Sequence, residues 1–430
     1  MHCRTVSISA ALLFAYFLVP PTDAQSLPQT PNSFSLHDGD RVTFYGDSIT
    51  AQREYTEDIE EYVLTRFPMW KVSFHNAGVG GDKVSGGYAG PVDLRLDRDV
   101  FAWRPDVVTM MLGMNDGYYR QDQPGIFDTY AEGYRHIVES IQQHLPNAQI
   151  VLIRPSPYDD VTREPLYSGG YNGVLLRDGD FLARLSAEKH LPIADFNTPV
   201  TEFLKLFNKQ FPDIAQQLIP DRVHPQQGGH WLMAESLLKA WNAPALVSSV
   251  AFDVTARTPT INTRNAEITG LHHTKTGLEW TETEEALPLP FPPPELDPVL
   301  GLTLKLSDIV TVLDQETLQV SGLPIGIYDL LIDAQTIATF SAEQLRTGVN
   351  LATLDTPMLN QARLVAADTQ ERNVLESARF DLIHGSLETQ SSKTAATLAA
   401  AMPAAEARQR RDARPRPHRF EIRLQSAAQP

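Results

Sequence analysis

The chain has 430 residues, of which 42% are hydrophobic, and its 53 Asp and Glu residues outnumber its 36 Lys and Arg residues, giving a net charge of −17. Such acidity repels polyphosphate, so nucleic acid is not expected as a partner. Because Cys3 is the only cysteine, the sequence offers neither a disulfide nor a thiolate metal site. A chain of this length is long enough for two domains.

The amino terminus has the pattern of an export signal. Residues 6–19 are mostly apolar and carry no charge, Arg4 precedes them, and a short segment ending at Ala24 follows. The apolar run of about 14 residues is shorter than the roughly 20 that span a bilayer, which disfavours the alternative of a permanent anchor. We therefore predict that residues 1–24 are a signal peptide, that the protein is secreted or periplasmic, and that no stable membrane insertion remains after signal cleavage.

Apolar runs alternate with amphipathic stretches between Arg41 and Trp241, within a predicted domain of residues 25–245. This alternation predicts an α/β domain, a three-layer sandwich in which helices cover both faces of a parallel sheet. Functional residues of such sheets collect at the carboxyl ends of the strands. The predicted strands are residues 41–46, 71–76, 106–112, 149–153 and 192–196, and the predicted helices are residues 56–67, 127–144, 174–190 and 226–241.

The pattern changes after residue 245. Residues 246–385 contain short β-prone runs separated by turns, which predicts a smaller β-rich C-terminal domain, with one helix over residues 357–377. Six prolines from Pro288 to Pro298 form a stiff segment, either an interdomain linker or a loop of this domain. Residues 386–430 are Ala-rich and are predicted to be a largely disordered tail, although residues 418–424 alternate as a strand does.

Four short motifs supply the side chains that a serine esterase needs. A nucleophile requires a base, the base requires an orienting acid, and the developing oxyanion requires hydrogen-bond donors. The first three motifs lie at strand ends, and the fourth lies in the loop before the last helix of the α/β domain. They are Gly46-Asp47-Ser48-Ile49-Thr50, Asn76-Ala77-Gly78-Val79-Gly80-Gly81, Gly113-Met114-Asn115-Asp116 and Asp221-Arg222-Val223-His224.

The fourth motif provides an acid and a base as one unit. Because Asp221 and His224 are three residues apart, the carboxylate can bond one imidazole nitrogen and leave the other to accept the Ser48 proton. Taken alone, the pair could equally be an exposed loop interaction, and Ser48 could be a helix N-cap. We expect His230, inside the following helix, to be a packed or capping residue.

Gly81 and Asn115 are the candidate oxyanion donors. A glycine brings its N–H close to a substrate without a side chain, and an asparagine amide adds a second neutral donor. Each residue alone could instead serve only to close a turn.

Together the four motifs resemble the blocks of the SGNH hydrolases, also called the GDSL family of esterases and lipases. The resemblance covers residues 41 to about 243, with Ile49 where the family name has leucine. It implies a flavodoxin-like SGNH hydrolase fold, a Ser48, Asp221 and His224 triad, and an oxyanion hole formed by Ser48, Gly81 and Asn115. It implies no metal and no cofactor. All five residues precede residue 242, so we expect the chemistry to survive removal of the later region.

Tyrosines follow several of the strand ends, which predicts an open, aromatic-lined cleft on which sugars could stack; the alternative is ordinary loop tyrosines. These are Tyr88, Tyr118, Tyr119, Tyr158 and Tyr171.

We therefore predict a secreted serine ester hydrolase that removes short acyl groups from small-molecule or glycan esters, with carbohydrate O-acetyl groups as one candidate. The alternatives are a lysophospholipase, thioesterase or arylesterase, an acyltransferase that uses the same residues, and a carbohydrate-binding protein with a vestigial esterase site.

Overall fold

The computed structural model describes residues 33–121, 123, 125–255, 259–385 and 389–425. The predicted signal peptide, residues 1–24, and Cys3 lie outside these ranges. From Phe34 onward, the described residues form one compact unit, and the predicted division at residues 245 and 246 falls inside it.

A five-stranded parallel sheet forms the first half of this unit, as the sequence predicts. Its spatial order is β2-β1-β5-β6-β7, so β2 is the edge strand on one side of β1 and the chain continues from β5 to β7 on the other side. The strands are β1 (Arg41–Gly46), β2 (Ser73–Gly78), β5 (Val107–Met111), β6 (Gln149–Arg154) and β7 (Ile193–Asp195), and a small hairpin adds β3 (Gly86–Gly87) and β4 (Gly90–Pro91).

Helices cover both faces of this sheet. They are α1 (Ser48–Ala51), α2 (Glu54–Arg66), α3 (Val92–Arg95), α4 (Ile126–His144), α5 (Gly170–Lys189), α6 (Thr198–Gln210) and α7 (Gln227–Ala240). Side chains of α4 and α5 pack on one face with Tyr45 and Met110. Those of α2, α6 and α7 pack on the other with Val42 and Phe44, because alternate residues of β1 point to opposite faces. The three-layer α/β prediction is confirmed; α6 was not predicted.

The second half contains two further sheets. One has the order β10-β11-β16-β13-β14 and is antiparallel; the other has the order β15-β12-β8-β9, in which only the pair β12 and β8 is parallel. The strands are β8 (Leu246–Asp253), β9 (Thr260–Arg264), β10 (Ala266–His273), β11 (Gly277–Glu284), β12 (Gln315–Ser321), β13 (Ile327–Ile332), β14 (Gln335–Ser341), β15 (Val349–Asn350) and β16 (His418–Leu424). The prediction of a β-rich C-terminal region is confirmed.

Five helices accompany these sheets: α8 (Pro298–Leu306), α9 (Ile309–Leu313), α10 (Ala342–Thr347), α11 (Pro357–Gly385) and α12 (Thr389–Asp412). The helix predicted over residues 357–377 is thus longer than expected.

The structure corrects the prediction of a largely disordered tail over residues 386–430. Residues 389–412 form α12, which packs against α11, and Gln409 donates a hydrogen bond to Thr369 at 3.0 Å. β16 lies between β11 and β13 and buries Phe420 and Ile422, as the alternating pattern of this segment indicates. An Ala-rich stretch has little apolar surface of its own, so its helix depends on a packing partner that composition does not reveal.

The proline-rich segment packs against the helices of the parallel sheet. Leu289 and Phe291 are buried, and the Phe291 ring lies 4.8 Å from that of Trp231 on α7. The Leu287 N–H donates to the Thr65 carbonyl oxygen of α2 at 2.9 Å. This segment is therefore part of the layer that covers α2 and α7.

Candidate active site

Ser48 lies at the turn between β1 and α1. Asp47 is the N-cap of α1, and its carboxylate accepts a hydrogen bond from the Ile49 N–H at 3.0 Å. A side chain at Gly46 would come within 2.8 Å of the Met111 carbonyl oxygen, so only glycine fits at this sharp turn. The turn leaves Ser48 at the first position of the helix, at the carboxyl end of the sheet.

A chain of hydrogen bonds joins Ser48, His224 and Asp221. The Ser48 Oγ lies 2.8 Å from His224 Nε2, and His224 Nδ1 lies 2.6 Å from the Asp221 carboxylate. Because a carboxylate only accepts, Nδ1 carries the proton and Nε2 is free to accept the serine hydroxyl. The structure thus brings together the three residues that the sequence predicts as a triad.

The Asp221 carboxylate is held by more than the imidazole. It accepts hydrogen bonds from the backbone N–H groups of Val223 at 2.9 Å and His224 at 2.7 Å. Partial burial alone would raise the pKa of Asp221, but these bonds and the His224 ring outweigh burial and lower it. The acid therefore stays ionised and keeps the imidazole in one orientation.

Three potential oxyanion donors belong to the first three motifs: the Ser48 N–H, the Gly81 N–H and the Asn115 side-chain amide. Gly81 has a φ of +72°, which favours glycine, and Asn115 follows β5. The Asn115 Nδ2 donates to the Asp82 carbonyl oxygen at 3.0 Å, and its Oδ1 accepts from the Tyr119 hydroxyl at 2.7 Å. Within the described part of the chain, neither the Ser48 nor the Gly81 N–H has an acceptor. These three residues offer the donors that an oxyanion would require.

Asn76, whose role sequence reasoning missed, ties the second motif to the serine turn. Its Nδ2 donates to the Thr50 carbonyl oxygen at 2.7 Å, and its Oδ1 accepts from the Gly78 N–H at 3.0 Å. A side chain at Gly78 would collide with the backbone of Thr50 and Ala51. The Asn-Ala-Gly sequence at the end of β2 was a signal for this close approach.

Two buried acids stand beside the candidate nucleophile and oxyanion donors. Burial raises the pKa of Asp47 to about 8 and the pKa of Asp116 to about 7. Asp116 also accepts a hydrogen bond from the Val84 N–H at 3.0 Å, which orients the segment after Gly81. Raised pKa values favour the neutral acids, so these groups add little negative charge next to a developing oxyanion.

His230 is fully buried, and its ring stacks 6.1 Å from that of Tyr55. Burial lowers its pKa to about 3, so it remains neutral, as expected for a packed histidine.

The prediction of five rim tyrosines is wrong for two of them. Tyr88, Tyr118 and Tyr119 are exposed by 79%, 52% and 37%, but Tyr158 and Tyr171 are buried. Tyr171 lies in the first turn of α5, where its hydroxyl donates to the Met114 carbonyl oxygen at 2.7 Å. The Tyr171 ring is thus packed in the core with its hydroxyl hydrogen-bonded, and it does not line a cleft.

Across the described ranges, no group of three His, Cys, Asp or Glu residues is arranged to hold a metal ion. Among the helices described, none is long and apolar enough to cross a membrane.

Comparisons with known proteins find similarity in the first half of the chain. Residues 44–232 match the profile of the GDSL-like lipase/acylhydrolase family. An acetylxylan esterase from Geobacillus stearothermophilus is 24% identical over 220 residues, which cover 47% of this chain and 93% of that protein. The crystal structure of an acetylxylan esterase from the same organism is 23% identical and covers 48% of this chain and 96% of that chain, with a TM-score of 0.40.

A structure of a gut microbial diltiazem-metabolizing enzyme resembles nearly the whole fold. It is 22% identical, covers 92% of this chain and 99% of that chain, and has a TM-score of 0.81. The overall fold of this chain therefore recurs in that structure. The resemblance of the four motifs is confirmed: residues 44–232 match the GDSL-like lipase/acylhydrolase family, to which the SGNH hydrolases correspond.

Proposed function

We propose that this protein is a serine ester hydrolase with Ser48 as nucleophile, His224 as general base and Asp221 as the orienting acid. The observation that carries the proposal is the pair of hydrogen bonds from Ser48 Oγ to His224 Nε2 at 2.8 Å and from His224 Nδ1 to Asp221 at 2.6 Å. A serine hydroxyl is a weak nucleophile at neutral pH, and a neutral imidazole within hydrogen-bond reach activates it.

In the proposed reaction, Ser48 Oγ attacks the ester carbonyl carbon while its proton passes to His224 Nε2. The carbonyl π electrons move to oxygen, and the N–H groups of Ser48 and Gly81 and the Asn115 amide donate to that oxyanion. Collapse expels the alcohol, which takes the proton from His224 and leaves an acyl group on Ser48. Water, deprotonated by His224, then releases the carboxylic acid and restores the serine.

We propose short acyl esters of small molecules or glycans as substrates, with carbohydrate O-acetyl groups as the first candidate. The acetylxylan esterase relative supports this choice. Tyr88 and Tyr118 also support it, because exposed aromatic rings provide stacking surfaces for sugars. The export pattern of residues 1–24 supports a secreted or periplasmic location, where polymeric glycans are encountered.

The test compares Ser48→Ala with the parent on p-nitrophenyl esters of increasing acyl length, thioesters, lysophospholipids and acetylated xylo-oligosaccharides. We expect the parent to prefer short acyl groups and the variant to lose several orders of magnitude in kcat. A fluorophosphonate should label the parent but not Ser48→Ala. Ser236→Ala is the matched control, because Ser236 bonds only the Leu232 carbonyl oxygen within α7. Full turnover by Ser48→Ala would refute the proposal.

A further inference from the structure

We propose that Tyr119 is a positioning residue, whose hydroxyl holds the Asn115 amide in the orientation that presents an N–H to the oxyanion. The inference rests on the ester hydrolysis proposed above. It concerns a hydroxyl that lies outside the four motifs and four residues beyond the asparagine.

The hydrogen bonds around Asn115 fix the direction of its amide. The Asp82 carbonyl oxygen can only accept, so the atom facing it at 3.0 Å must be Nδ2. The other amide atom, Oδ1, therefore faces the Tyr119 hydroxyl at 2.7 Å, and Tyr119 must donate. One Nδ2 hydrogen is used by Asp82, which leaves the second hydrogen for a ligand.

Tyr119 remains a donor over the whole working pH range. Burial, followed by Asp47 and Asp221, which are both ionised at the high pH where a phenol titrates, raises the pKa of its phenol to about 12. A protonated phenol cannot turn into an acceptor-only group, so it continues to favour the carbonyl end of the amide. In the flipped amide, Oδ1 would face the developing oxyanion and repel it.

The surrounding packing holds Tyr119 itself. Its ring lies 5.2 Å from that of Tyr171 and 6.2 Å from that of Tyr158, the two tyrosines that are buried rather than exposed at a rim. A side chain at Gly117 would come within 2.7 Å of the Tyr171 hydroxyl, so the segment between Asn115 and Tyr119 packs closely on that ring. The buried tyrosines thus brace the residue that orients Asn115.

The backbone of the same segment is unusual. Tyr118 and Tyr119 have φ values of +54° and +55°, in the left-handed region that residues with a Cβ seldom occupy. Such conformations persist where surrounding structure enforces them, and they concentrate at functional sites. Here the left-handed turn brings Tyr119 back toward Asn115 while Tyr118 remains exposed.

Tyr119→Phe removes only the hydroxyl and tests the inference. Because the Asp82 contact remains, we expect kcat on p-nitrophenyl acetate to fall by about 3- to 10-fold, the effect of one neutral hydrogen bond, with KM nearly unchanged. Inactivation by a fluorophosphonate, which also develops charge on oxygen, should slow by the same factor. Combined with Asn115→Ala, the substitution should produce no further loss, because the amide that it orients is already gone.

Tyr134→Phe is the matched control. Its hydroxyl donates to the Met110 carbonyl oxygen at 2.8 Å on the far side of β5, so its loss should lower the melting temperature but leave kcat alone. Circular dichroism tests whether each variant is folded. If Tyr119→Phe is unfolded, Tyr119→Trp takes its place, and it is measured alone and in combination with Asn115→Ala.

Three results would overturn the inference: a Tyr119→Phe enzyme with parental kcat, a change in KM alone, or the same fold-loss in the Asn115→Ala background. Failure of the proposed function can be distinguished from failure of this inference. If the proposed function is wrong, Ser48→Ala keeps its activity, independently of the result for Tyr119→Phe.

Discussion

The Arg53 guanidinium, five residues after Ser48, donates a hydrogen bond at 2.7 Å to the Glu376 carboxylate on α11. The two side chains are exposed by only 8% and 4%. The other oxygen of Glu376 lies 2.8 Å from His75 Nδ1, on the strand next to β1. One carboxylate of a C-terminal helix therefore contacts both Arg53, which follows the serine turn, and His75 on the neighbouring strand β2.

We expect Glu376→Ala to destabilise the protein by about 3–5 kcal/mol, because it leaves the guanidinium groups of Arg53 and Arg372 buried without this partner. Burial alone would raise the pKa of Glu376, but Arg372, His75 and Arg53 outweigh burial and lower it, so the carboxylate is ionised at neutral pH. Urea denaturation at pH 7 measures the free energy of unfolding.

The control for this substitution is Glu343→Ala, which removes an ion pair with Arg346 on the surface of α10. Exposed pairs contribute little, so its denaturation midpoint should match that of the parent. Equal, small effects of the two substitutions would show that the contact between α11 and the serine turn is not needed for stability.

Further contacts between the two halves of the chain change what we expect of a chain ending at Asn242. All five site residues precede this point, yet Arg66 of α2 donates to the carbonyl oxygens of Ala245 at 3.0 Å and Leu313 at 2.9 Å. Leu289, Phe291 and Leu300 belong to the core that α2 and α7 share. Removing the later region would expose this core and leave Arg66 unpaired.

We therefore expect the shortened chain to lose its cooperative urea transition and its activity together. Circular dichroism and the rate of p-nitrophenyl acetate hydrolysis measure both. A soluble, active chain with the parental denaturation midpoint would show instead that residues 25–245 fold as an independent catalytic domain.

The sequence predicted the parallel sheet and the site because their signals are local. β1, β5 and β6 are apolar runs buried on both faces, and each of the first three motifs joins a strand to the turn that follows it. The position of β16 depends instead on pairing with β11 and β13, more than 80 residues away along the chain. The alternation of residues 418–424 indicated a strand, but no local pattern predicts which strands it pairs with.

Side-chain roles were less predictable than positions. The bond between Tyr119 and Asn115 spans four residues, yet it forms only because Tyr118 and Tyr119 adopt left-handed φ values that packing imposes. The burial of Tyr158 and Tyr171 likewise follows from tertiary packing. The sequence around a loop tyrosine does not indicate whether its ring faces solvent or packs against a neighbouring ring.

Asn115→Ala should lower kcat by about 100- to 1,000-fold and change KM little, because an oxyanion donor acts mainly in the transition state. Steady-state kinetics on p-nitrophenyl acetate separate the two constants. Asn147→Ala, at an exposed turn after α4, is the control and should match the parent. A variant that raises KM alone would assign Asn115 to substrate binding rather than to the oxyanion.

Four carboxyl groups are buried together in the C-terminal region. Glu282 and Glu284 lie on β11, Asp314 precedes β12, and Glu316 lies within β12. Both carboxyl oxygens of Glu316 are buried without a hydrogen-bond partner in the described structure. Arg66 is the cation that contacts this group, through Asp314 at 3.4 Å.

These groups make stability depend on pH. Burial, followed by the charges of Glu284, Asp314 and Glu282, raises the pKa of Glu316, and burial raises the pKa of Glu284 to about 8. A raised pKa means that the folded state binds more protons than the unfolded state. The free energy of unfolding should therefore fall as pH rises from the ordinary carboxyl range of about 4.5 towards about 8.

We expect Glu316→Gln to remove part of this loss of stability between pH 5 and pH 8. At pH 5 Glu316 is neutral in the folded parent, so the two proteins should unfold at similar urea concentrations. At pH 8 the folded parent either carries a buried negative charge at Glu316 or keeps Glu316 protonated at a pH where the unfolded chain is ionised, and both cost free energy. The glutamine of the variant does not ionise, so the variant should be more stable than the parent by about 1 kcal/mol or more. Glu267→Gln, exposed on β10, should match the parent at both pH values. A Glu316→Gln difference that is the same at pH 5 and pH 8 would show that ionisation of this cluster does not limit stability.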